Sequence, residues 1–290
     1  MSGRRIEQVS VVGAGFMGTG IAQVAAMAGC PVKVHDTHPD ALHRSVETIR
    51  WSLQKLKGRG IYAGDVEETL ERVRPARDLA EATAEGDLVI EAVYESVPVK
   101  EELLKRLSGI VRPEAVVGSN TSSVPMEHLS AQLARPERFI GTHFFGPVPL
   151  MPLVELVLGP ATSDDVLADV RWFMERIGKT CIVVRKPSPG FLVNRVFMAA
   201  ALEAMQCWLQ GVGTPEDIDT GMRLGYGWNA GPFEIMDNAG VDVMAGIFAV
   251  MGAEVPPAIR EMLEQGHLGR KAGRGFYRYG PDGKRVRSVS

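Results

Sequence analysis

The sequence predicts an α/β protein: a doubly wound, mostly parallel sheet with a two-helix extension, followed by a smaller all-α domain. Short apolar runs alternate with helical patterns through the first two thirds of the chain, which is typical of such a sheet. A glycine-rich turn joins the first strand to the first helix. From Phe191 onward the pattern is almost entirely helical. We therefore expect a boundary at about residue 186, with domains of residues 1–186 and 187–290.

Bulk composition favours an ordinary globular enzyme. The chain has 290 residues, 45% hydrophobic content and a net charge of −3, which gives no reason to expect nucleic acid or a membrane as a partner. The three cysteines lack metal-ligand spacing, so we expect reduced thiols and no metal. Residues 1–8 carry no apolar targeting segment, and no apolar run approaches the roughly 20 residues of a membrane span. These features predict a cytoplasmic protein.

The first elements follow a recognisable order. An apolar strand over 9–12 leads into the glycine-rich turn 13–18, and a helical pattern of small residues follows over 19–28. A second apolar strand over 32–35 then ends on Asp36. Strand, glycine turn, helix, strand and acid together are the fingerprint of a Rossmann-type dinucleotide site. The flanking strands make this signal much stronger than the glycines alone.

Each glycine of the turn has a physical role in such a site. Gly13 permits the tight turn, Gly15 lets the backbone approach a pyrophosphate, and Gly18 lets the helix pack against the strand. The first helical turn, which includes Phe16 and Met17, offers backbone N–H groups to the phosphates. We expect these five residues to bind the cofactor.

Asp36 indicates which cofactor is bound. A carboxylate at this position accepts hydrogen bonds from the adenosine ribose and repels a 2′-phosphate. No arginine follows directly, since the next residues are Thr37, His38 and Pro39. The sequence therefore favours NAD over NADP.

The remaining elements follow in order along the chain. The connection between Asp36 and Asp87 is unusually long, and we interpret it as two helices over about 39–57 and 66–73. Further strands are predicted at 87–92, 115–118, 139–143, 153–158 and 181–184. Further helices are predicted at 98–109, 125–134, 163–177, 191–209, from Thr214 onward, and near 231–237, 240–250 and 256–265.

Polar residues at strand ends are the candidates for catalysis, because ligands of open parallel sheets bind beyond the carboxyl ends of the strands. His143 ends one strand, and Glu155 interrupts the next apolar strand. A strand–loop–strand excursion of this length could return Glu155 alongside His143, where a carboxylate would fix the imidazole tautomer. The equally weighted alternative is a structural histidine and a glutamate on the wet face of an edge strand.

Specific motifs decide between these interpretations. Together with the glycine turn, they make nearly the whole chain resemble an L-3-hydroxyacyl-CoA dehydrogenase of the short-chain, 3-hydroxybutyryl-CoA type. The motifs are Ser119-Asn120-Thr121-Ser122-Ser123, His143-Phe144-Phe145 with Pro147-Val148-Pro149, Leu153-Val154-Glu155, Pro189 to Arg195, and Leu268 to Tyr277.

The resemblance implies an activity and the roles of several residues. The expected reaction is the reversible, NAD-dependent oxidation of a (3S)-3-hydroxyacyl-CoA in fatty acid metabolism. His143 would be the general base and Glu155 its orienting carboxylate, while Ser122 and Asn194 would hold the substrate's 3-oxygen and the nicotinamide end. The resemblance also assigns residues to the NAD site, namely Glu95, Lys100 and Asn120.

Two further expectations concern partners. Ser52, Lys55 and Arg59 lie where the long helix ends, and they form a candidate clamp for the coenzyme A phosphates. The alternative is a solvated helix end, where cations are common. The helical domain carries few charges, so we also expect a homodimer that buries its apolar surface.

Two departures from the family pattern leave the identity of the acyl substrate undecided. Gly146 replaces the usual Asn after His-Phe-Phe, and the segment 227–233 is unusual as well. Gly146 either widens the acyl pocket or leaves a gap that a neighbouring side chain fills.

Two other functions stay open beside the acyl-CoA dehydrogenase. One alternative is an NAD-dependent dehydrogenase of a small hydroxy acid without coenzyme A, such as gulonate or carnitine. Another is a catalytically silent NAD-binding protein.

Overall fold

The computed structural model describes residues 6–252 and 254–286. Residues 1–5, part of the segment predicted to lack a targeting signal, lie outside this range. The chain divides into two compact units between Ser188 and Pro189. None of the described helices has the combination of length and apolar character that a membrane span needs.

The first unit is built on one eight-stranded sheet with the order β3-β2-β1-β4-β5-β6-β7-β8. Neighbouring strands are parallel except β6 and β7, which pair antiparallel. The strands are β1 (Val9–Val12), β2 (Val32–His35), β3 (Val73–Pro75), β4 (Leu88–Glu91), β5 (Val116–Ser119), β6 (Phe139–Phe144), β7 (Leu153–Leu158) and β8 (Thr180–Val184). The predicted doubly wound α/β class is confirmed.

Helices connect these strands and cover the sheet. They are α1 (Phe16–Met27), α2 (Pro39–Gly58), α3 (Val66–Glu71), α4 (Leu79–Thr83), α5 (Val97–Ser108), α6 (Met126–Ser130) and α7 (Asp164–Arg176), with a 3₁₀ turn at Pro136–Arg138. The helix α6 is shorter than the predicted 125–134, because the chain turns at Ala131 before it enters β6.

The prediction for the long connection after Asp36 was incomplete. It contains the two predicted helices, α2 and α3, but also the strand β3 and the helix α4. The prediction missed β3 because it has three residues, Val-Arg-Pro, and only Val73 is buried, so no alternation is visible. Pro75 is tolerated because β3 lies at the edge of the sheet. The connection is therefore two ordinary crossovers instead of one anomalous crossover.

The core of the first unit lies against the central strands. Val11 and Ile90 on neighbouring strands pack with Ile21 of α1 and with Ile49 and Leu53 of α2, all at most 1% exposed. Central parallel strands are covered on both faces, and every residue of β1 and β4 is buried here. This rigid core fixes where the strands end and therefore where the candidate site lies.

The second unit is helical. Its helices are α8 (Val193–Leu209), α9 (Pro215–Tyr226), α10 (Pro232–Ala239), α11 (Val241–Val250) and α12 (Pro257–Glu264), followed by a 3₁₀ turn at Arg270–Ala272. The predicted start of α9 is confirmed: Thr214 is its N-cap, Pro215 its first residue, and Thr214 and Asp217 form a capping box.

Buried carboxylates hold the C-terminal turn onto this unit. Asp237 accepts hydrogen bonds from the backbone N–H groups of Phe276 and Tyr277, each at 2.9 Å, and from the hydroxyl of Tyr279. Asp219 accepts one from the hydroxyl of Tyr277 at 2.7 Å. Burial raises the pKa of both carboxyls, so these hydrogen bonds offset part of a desolvation cost.

Candidate active site

The antiparallel pairing of β6 and β7 places His143 directly opposite Glu155. The imidazole Nδ1 lies 2.6 Å from the Oε2 atom of Glu155, within hydrogen-bonding distance. His143 is 6% exposed and Glu155 is fully buried. The ring of Phe145 contacts the imidazole at 4.7 Å between centroids. The structure thus brings together the two residues that the sequence offered as a base and its orienting partner.

The alternative of a glutamate on a wet edge-strand face is wrong. The strand β7 lies inside the sheet, between β6 and β8. Glu155 is 0% exposed, and the residues on either side of it, Val154 and Leu156, are also fully buried. A carboxylate in such surroundings is costly without a partner, and His143 supplies one.

Glu95 organises the loop that follows β5. Its Oε1 atom accepts hydrogen bonds from the hydroxyls of Thr121 and Ser123, at 2.6 and 2.8 Å, and from the backbone N–H of Ser122 at 2.8 Å. The hydroxyl of Ser122 also donates to it at 3.3 Å. A single carboxylate therefore fixes the predicted substrate-binding serine, Ser122, and both of its neighbours.

A buried ion-pair network stands behind Glu95. The ammonium of Lys100, 1% exposed, lies 3.1 Å from Glu95 and 2.6 Å from Glu91. Glu91 also accepts a hydrogen bond from the hydroxyl of Ser119 at 2.6 Å. Burial opposes the ionisation of Glu95, but the charge of Lys100 and the loop hydrogen bonds outweigh it, so the pKa of Glu95 lies below its ordinary value.

The sequence analysis did not predict that Glu91 and Ser119 belong to this buried network. The signal was present, because Lys100 falls on the same face of α5 as the buried Leu104 and Leu107. A lysine on the buried face of a helix needs a carboxylate, and Glu91 ends the neighbouring strand β4. Since Lys100 is almost fully buried, it acts in the structure through the carboxylates that it holds.

Asn120 ties two strand ends together. Its side-chain oxygen accepts a hydrogen bond from the backbone N–H of Phe144 at 3.0 Å. Asn120 directly follows β5, and Phe144 directly follows His143 at the end of β6. The amide thus fixes the end of β6 next to the candidate base.

The glycine turn has the shape that a dinucleotide requires. Gly13 has φ +106°, and a Cβ there would lie 2.5 Å from the carbonyl oxygen of Ala92. A Cβ at Gly18 would lie 1.8 Å from the carbonyl oxygen of Gly13, so only glycine allows α1 to sit this close. A Cβ at Gly15 would meet open space, which leaves its backbone accessible to a phosphate.

A cavity of about 810 Å³ opens beside this turn. Gly13, Gly15, Phe16, Met17 and Asp36 line it on one side. The opposite side is formed by Tyr94 and by residues of α5, which are Pro98, Val99, Glu102, Leu103 and Arg106. An elongated ligand with an apolar base and an anionic centre fits this lining.

Asp36 is held in place at the end of β2. Its carboxylate accepts hydrogen bonds from the backbone N–H of Ala14 at 2.7 Å and from that of His38 at 2.9 Å. The acid therefore fixes the glycine turn and still lines the cavity, where it can accept hydrogen bonds from a ribose.

The loop after His143 contacts the start of α1. A Cβ at Gly146 would lie 2.6 Å from the Cε1 atom of Phe16 and 3.3 Å from the sulfur of Met17. The ring of Phe16 therefore lies where a side chain at position 146 would begin, which favours the alternative that a neighbouring side chain fills the gap. Phe16 itself is 70% exposed, so its ring has room to move.

Comparison with known proteins identifies the family. Residues 8–187 match the model of the NAD-binding domain of 3-hydroxyacyl-CoA dehydrogenase, and residues 190–279 match that of its C-terminal domain. The chain belongs to the 3-hydroxyacyl-CoA dehydrogenase family. The predicted family and NAD cofactor are thereby confirmed.

Individual relatives agree. A probable 3-hydroxybutyryl-CoA dehydrogenase of Deinococcus radiodurans is 42% identical, over 93% of this chain and 99% of that protein. The structure of FadB2 from M. tuberculosis is 35% identical with a TM-score of 0.90, over 96% of this chain and 100% of that one. The (S)-3-hydroxybutyryl-CoA dehydrogenase PaaH1 from Ralstonia eutropha is 39% identical with a TM-score of 0.86, over 95% and 99%.

The other predicted site residues of this dehydrogenase lie on two helices. On α2, Ser52 is half-buried and Lys55 is exposed, with its ammonium 4.0 Å above the ring centroid of Trp51. Arg59, the C-cap residue of this helix, is also exposed. Asn194 belongs to the second unit, where it lies half-buried in the first turn of α8.

We predict that Glu95→Gln lowers kcat by at least about 10-fold, because the amide cannot pair with Lys100 and presents donors to groups that already donate. The matched control is Glu101→Gln, also on α5, which should stay near wild type. Steady-state kinetics of both variants test this, and a wild-type kcat for Glu95→Gln would contradict it.

We also predict that the stabilising effect of Glu95 depends on pH. In the folded protein the pKa of Glu95 lies below its ordinary value of 4.5. The contribution of its charge to stability is therefore fully present above pH 4.5 and is lost as the pH falls through the folded-state pKa. The difference in thermal midpoint between wild type and Glu95→Gln should therefore shrink in acid. A difference independent of pH would contradict the ion pair.

For Gly146, we predict that Gly146→Asn lowers kcat/KM, since the new side chain must displace the ring of Phe16. The double variant Phe16→Leu/Gly146→Asn should recover most of the loss, so that the two substitutions are strongly non-additive. The measurement is a double-mutant cycle of kcat/KM for NAD⁺ and for acyl-CoA substrates of increasing length. Additive effects would show that the two positions act independently.

Proposed function

We propose that the protein catalyses the reversible, NAD-dependent oxidation of the 3-hydroxyl of a (3S)-3-hydroxyacyl-CoA, such as 3-hydroxybutyryl-CoA, to the 3-oxoacyl-CoA. The observation that carries this proposal is the buried pair of His143 and Glu155 in a chain of this family. The loop after His143 reaches the first turn of α1, so the base lies near the glycine turn.

His143 acts as the general base. Glu155 engages Nδ1 and thereby fixes the neutral tautomer that carries its proton on Nδ1, so proton exchange with the substrate takes place at Nε2. Nε2 removes the proton of the C3 hydroxyl while the C3–H bond breaks as a hydride leaves. In the reverse direction the imidazolium returns the proton to the oxygen at C3, and Glu155 stabilises that charge.

Polar groups orient the reacting oxygen. Glu95 holds the backbone N–H of Ser122 and thus sets the position of the serine hydroxyl beside the substrate's 3-oxygen. Asn194 is the second donor that we assign to this oxygen and to the nicotinamide end. Fixed donors aimed at a developing charge are often the largest catalytic contribution.

The cofactor site uses the glycine turn and the acid that follows β2. When bound, NAD⁺ supplies the hydride acceptor. The backbone of the turn 13–18 would hold its pyrophosphate, and Asp36 would accept hydrogen bonds from its ribose. Asn120, directly after β5, and Glu95, in the segment between β4 and α5, would contact the cofactor, and Lys100 would contribute by holding Glu95.

A spectrophotometric assay tests the reaction. We expect NADH to form from NAD⁺ with 3-hydroxybutyryl-CoA and not with L-gulonate or carnitine. His143→Gln should lower kcat by roughly 10²–10⁴-fold with NAD⁺ binding retained, since general-base catalysis contributes about that much. The control is His128→Gln, at a histidine whose side chain is 55% exposed. Turnover of the small hydroxy acids alone would favour the alternative without coenzyme A, and no turnover would favour a silent NAD-binding protein.

Coenzyme A recognition is assigned to the end of α2. Ser52 and Lys55 lie in the last two turns of this helix and Arg59 is its C-cap residue, and both cations are exposed. They supply charge to the phosphates at the adenosine end of coenzyme A, far from the reacting carbon.

We predict that Lys55→Ala/Arg59→Ala raises KM for an acyl-CoA with little change in kcat, because a remote contact is lost equally in the ground and transition states. The KM for the same acyl group on a short pantetheine thioester should not change. Equal changes in KM for both substrates would show that the two cations belong to solvated surface and do not contact coenzyme A.

The chain also has features of a cytosolic homodimer. Several apolar side chains of the second unit are at least 59% exposed, which supports a partner surface there; they are Val196, Leu209, Val212, Leu224 and Tyr226. We expect twice the chain mass of 31.5 kDa in light scattering. Burial raises the pKa of Cys30, and that of Cys181 to about 11, so both thiols stay protonated at neutral pH.

A further inference from the structure

Lys179 is a buried cation that the mechanism described above does not use. It lies between α7 and β8 and is 6% exposed. Lys100, the other buried lysine discussed above, is paired with carboxylates. Among the residues that the structure describes, no carboxylate lies close enough to Lys179 to oppose the lowering of its pKa by burial. Lysine is seldom buried without such a partner, so this one needs a specific structural reason.

The end of α7 fixes the backbone of Lys179. Gly178, with φ +77°, lets the chain turn, and the backbone N–H of Lys179 donates to the carbonyl oxygen of Met174 at 2.8 Å. The first N–H of β8 then donates to the carbonyl oxygen of Pro152 at 2.7 Å. The lysine side chain therefore starts from a fixed point beside the β6–β7 loop, residues 145–152.

The ammonium binds two carbonyl groups of this loop. Its Nζ atom donates to the carbonyl oxygen of Val148 at 2.5 Å and to that of Met151 at 2.8 Å. Within the loop, the backbone N–H groups of Leu150 and Met151 donate to the carbonyl oxygen of Pro147 at 2.9 and 3.0 Å. Lys179 thus holds the turn of the loop from the side of β8, with a donor that solvent hardly reaches.

The same loop packs against α1, the helix that follows the glycine turn. Val148 is 1% exposed, and a Cβ at Gly20 of α1 would lie 2.8 Å from the Cβ atom of Val148. Near the start of the loop, Gly146 lies against Phe16 in the first turn of α1. The loop begins two residues after His143. A single short loop therefore links the candidate base to the helix of the cofactor site.

We propose that Lys179 is a positioning residue: its ammonium seats the β6–β7 loop on α1 and thereby fixes His143 relative to the glycine turn. This inference rests on the proposed function, since it gives Lys179 a part in aligning the base with the cofactor. The base takes a proton from the oxygen on the carbon that gives up the hydride, so the two sites must be held in register. Because Lys179 is almost fully buried and bound to the loop, it acts through the loop and not on the substrate.

Kinetics and cofactor binding of Lys179→Met test the proposal. Methionine is of similar length but cannot donate, so two loop carbonyls lose their hydrogen bonds. We expect kcat with 3-hydroxybutyryl-CoA to fall by about 10-fold or more, as misaligned reacting groups imply, and Kd for NADH to change by less than about 3-fold. The Kd should change little because the glycine turn and Asp36, which are assigned to the cofactor, remain intact.

The matched control is Lys105→Met, at an exposed lysine in the last turn of α5, which should keep the wild-type kcat and Kd. A wild-type kcat for Lys179→Met, even with a lower thermal midpoint, would show that Lys179 contributes to stability alone and would overturn the proposal. A Kd for NADH that rises as much as kcat falls would also overturn it, since the cofactor site itself would then be damaged.

Hydrogen exchange makes the test independent of turnover. In Lys179→Met the backbone N–H groups of Leu150 and Met151 should exchange with deuterium at least about 10-fold faster than in wild type, because the loop opens more often. Unchanged exchange would overturn the proposal. Absence of turnover by the wild-type protein would count against the proposed function, and the exchange rates would still decide whether Lys179 seats the loop.

A variant on the loop reaches the same contact with Lys179 intact. Val148→Ala shortens the side chain that lies against Gly20, so kcat should fall here as well. If Lys179 acts through this contact, Lys179→Met/Val148→Ala should lose much less activity than the product of the two single losses. Independent, multiplicative losses in this double-mutant cycle would show that Lys179 does not act through the packing of the loop on α1, and would overturn the proposal.

Discussion

The candidate active site depends on a carboxylate that the fold buries completely. Glu155 lies on an interior strand with apolar neighbours, so it needs a charged or donating partner. The antiparallel pairing of β6 and β7 supplies one, because it sets His143 directly across from it. A register shift of one residue would turn one of the two side chains to the other face of the sheet and break the contact. The geometry of the pair formed by His143 and Glu155 is therefore a consequence of strand register.

A second buried network fixes the position of the loop around Ser122, as strand register fixes the position of His143. Lys100 joins Glu91 to Glu95, and Glu95 in turn holds the loop around Ser122. Removing one member of a buried ion pair leaves the others uncompensated, so such a network favours a single arrangement of the loop. The polar ends of β4, β5 and β6 are thereby fixed before any ligand binds, which suits a site that stabilises charge by preorganised groups.

The pair Phe16 and Gly146 shows how a departure from a family motif is absorbed locally. The missing asparagine leaves no open gap, because the aromatic ring lies where its side chain would begin. The surroundings of position 146 are thus set by both residues together. A substitution at Gly146 acts on the glycine turn as well as on the loop after the base, since Phe16 belongs to α1.

The sequence by itself determined the fold class, the cofactor and the family. The dinucleotide fingerprint consists of residues close together along the chain, namely the glycine turn, its flanking strands and Asp36. Such a local pattern can be recognised in the sequence without knowledge of the fold. Spacing alone left the pairing of His143 with Glu155 undecided, because a pairing register depends on contacts between distant segments. The three-residue strand β3, the partnership of Lys100 with Glu91 and the ring of Phe16 against Gly146 also became visible only in the tertiary structure. Each of them joins residues whose proximity depends on how the whole sheet and its helices pack.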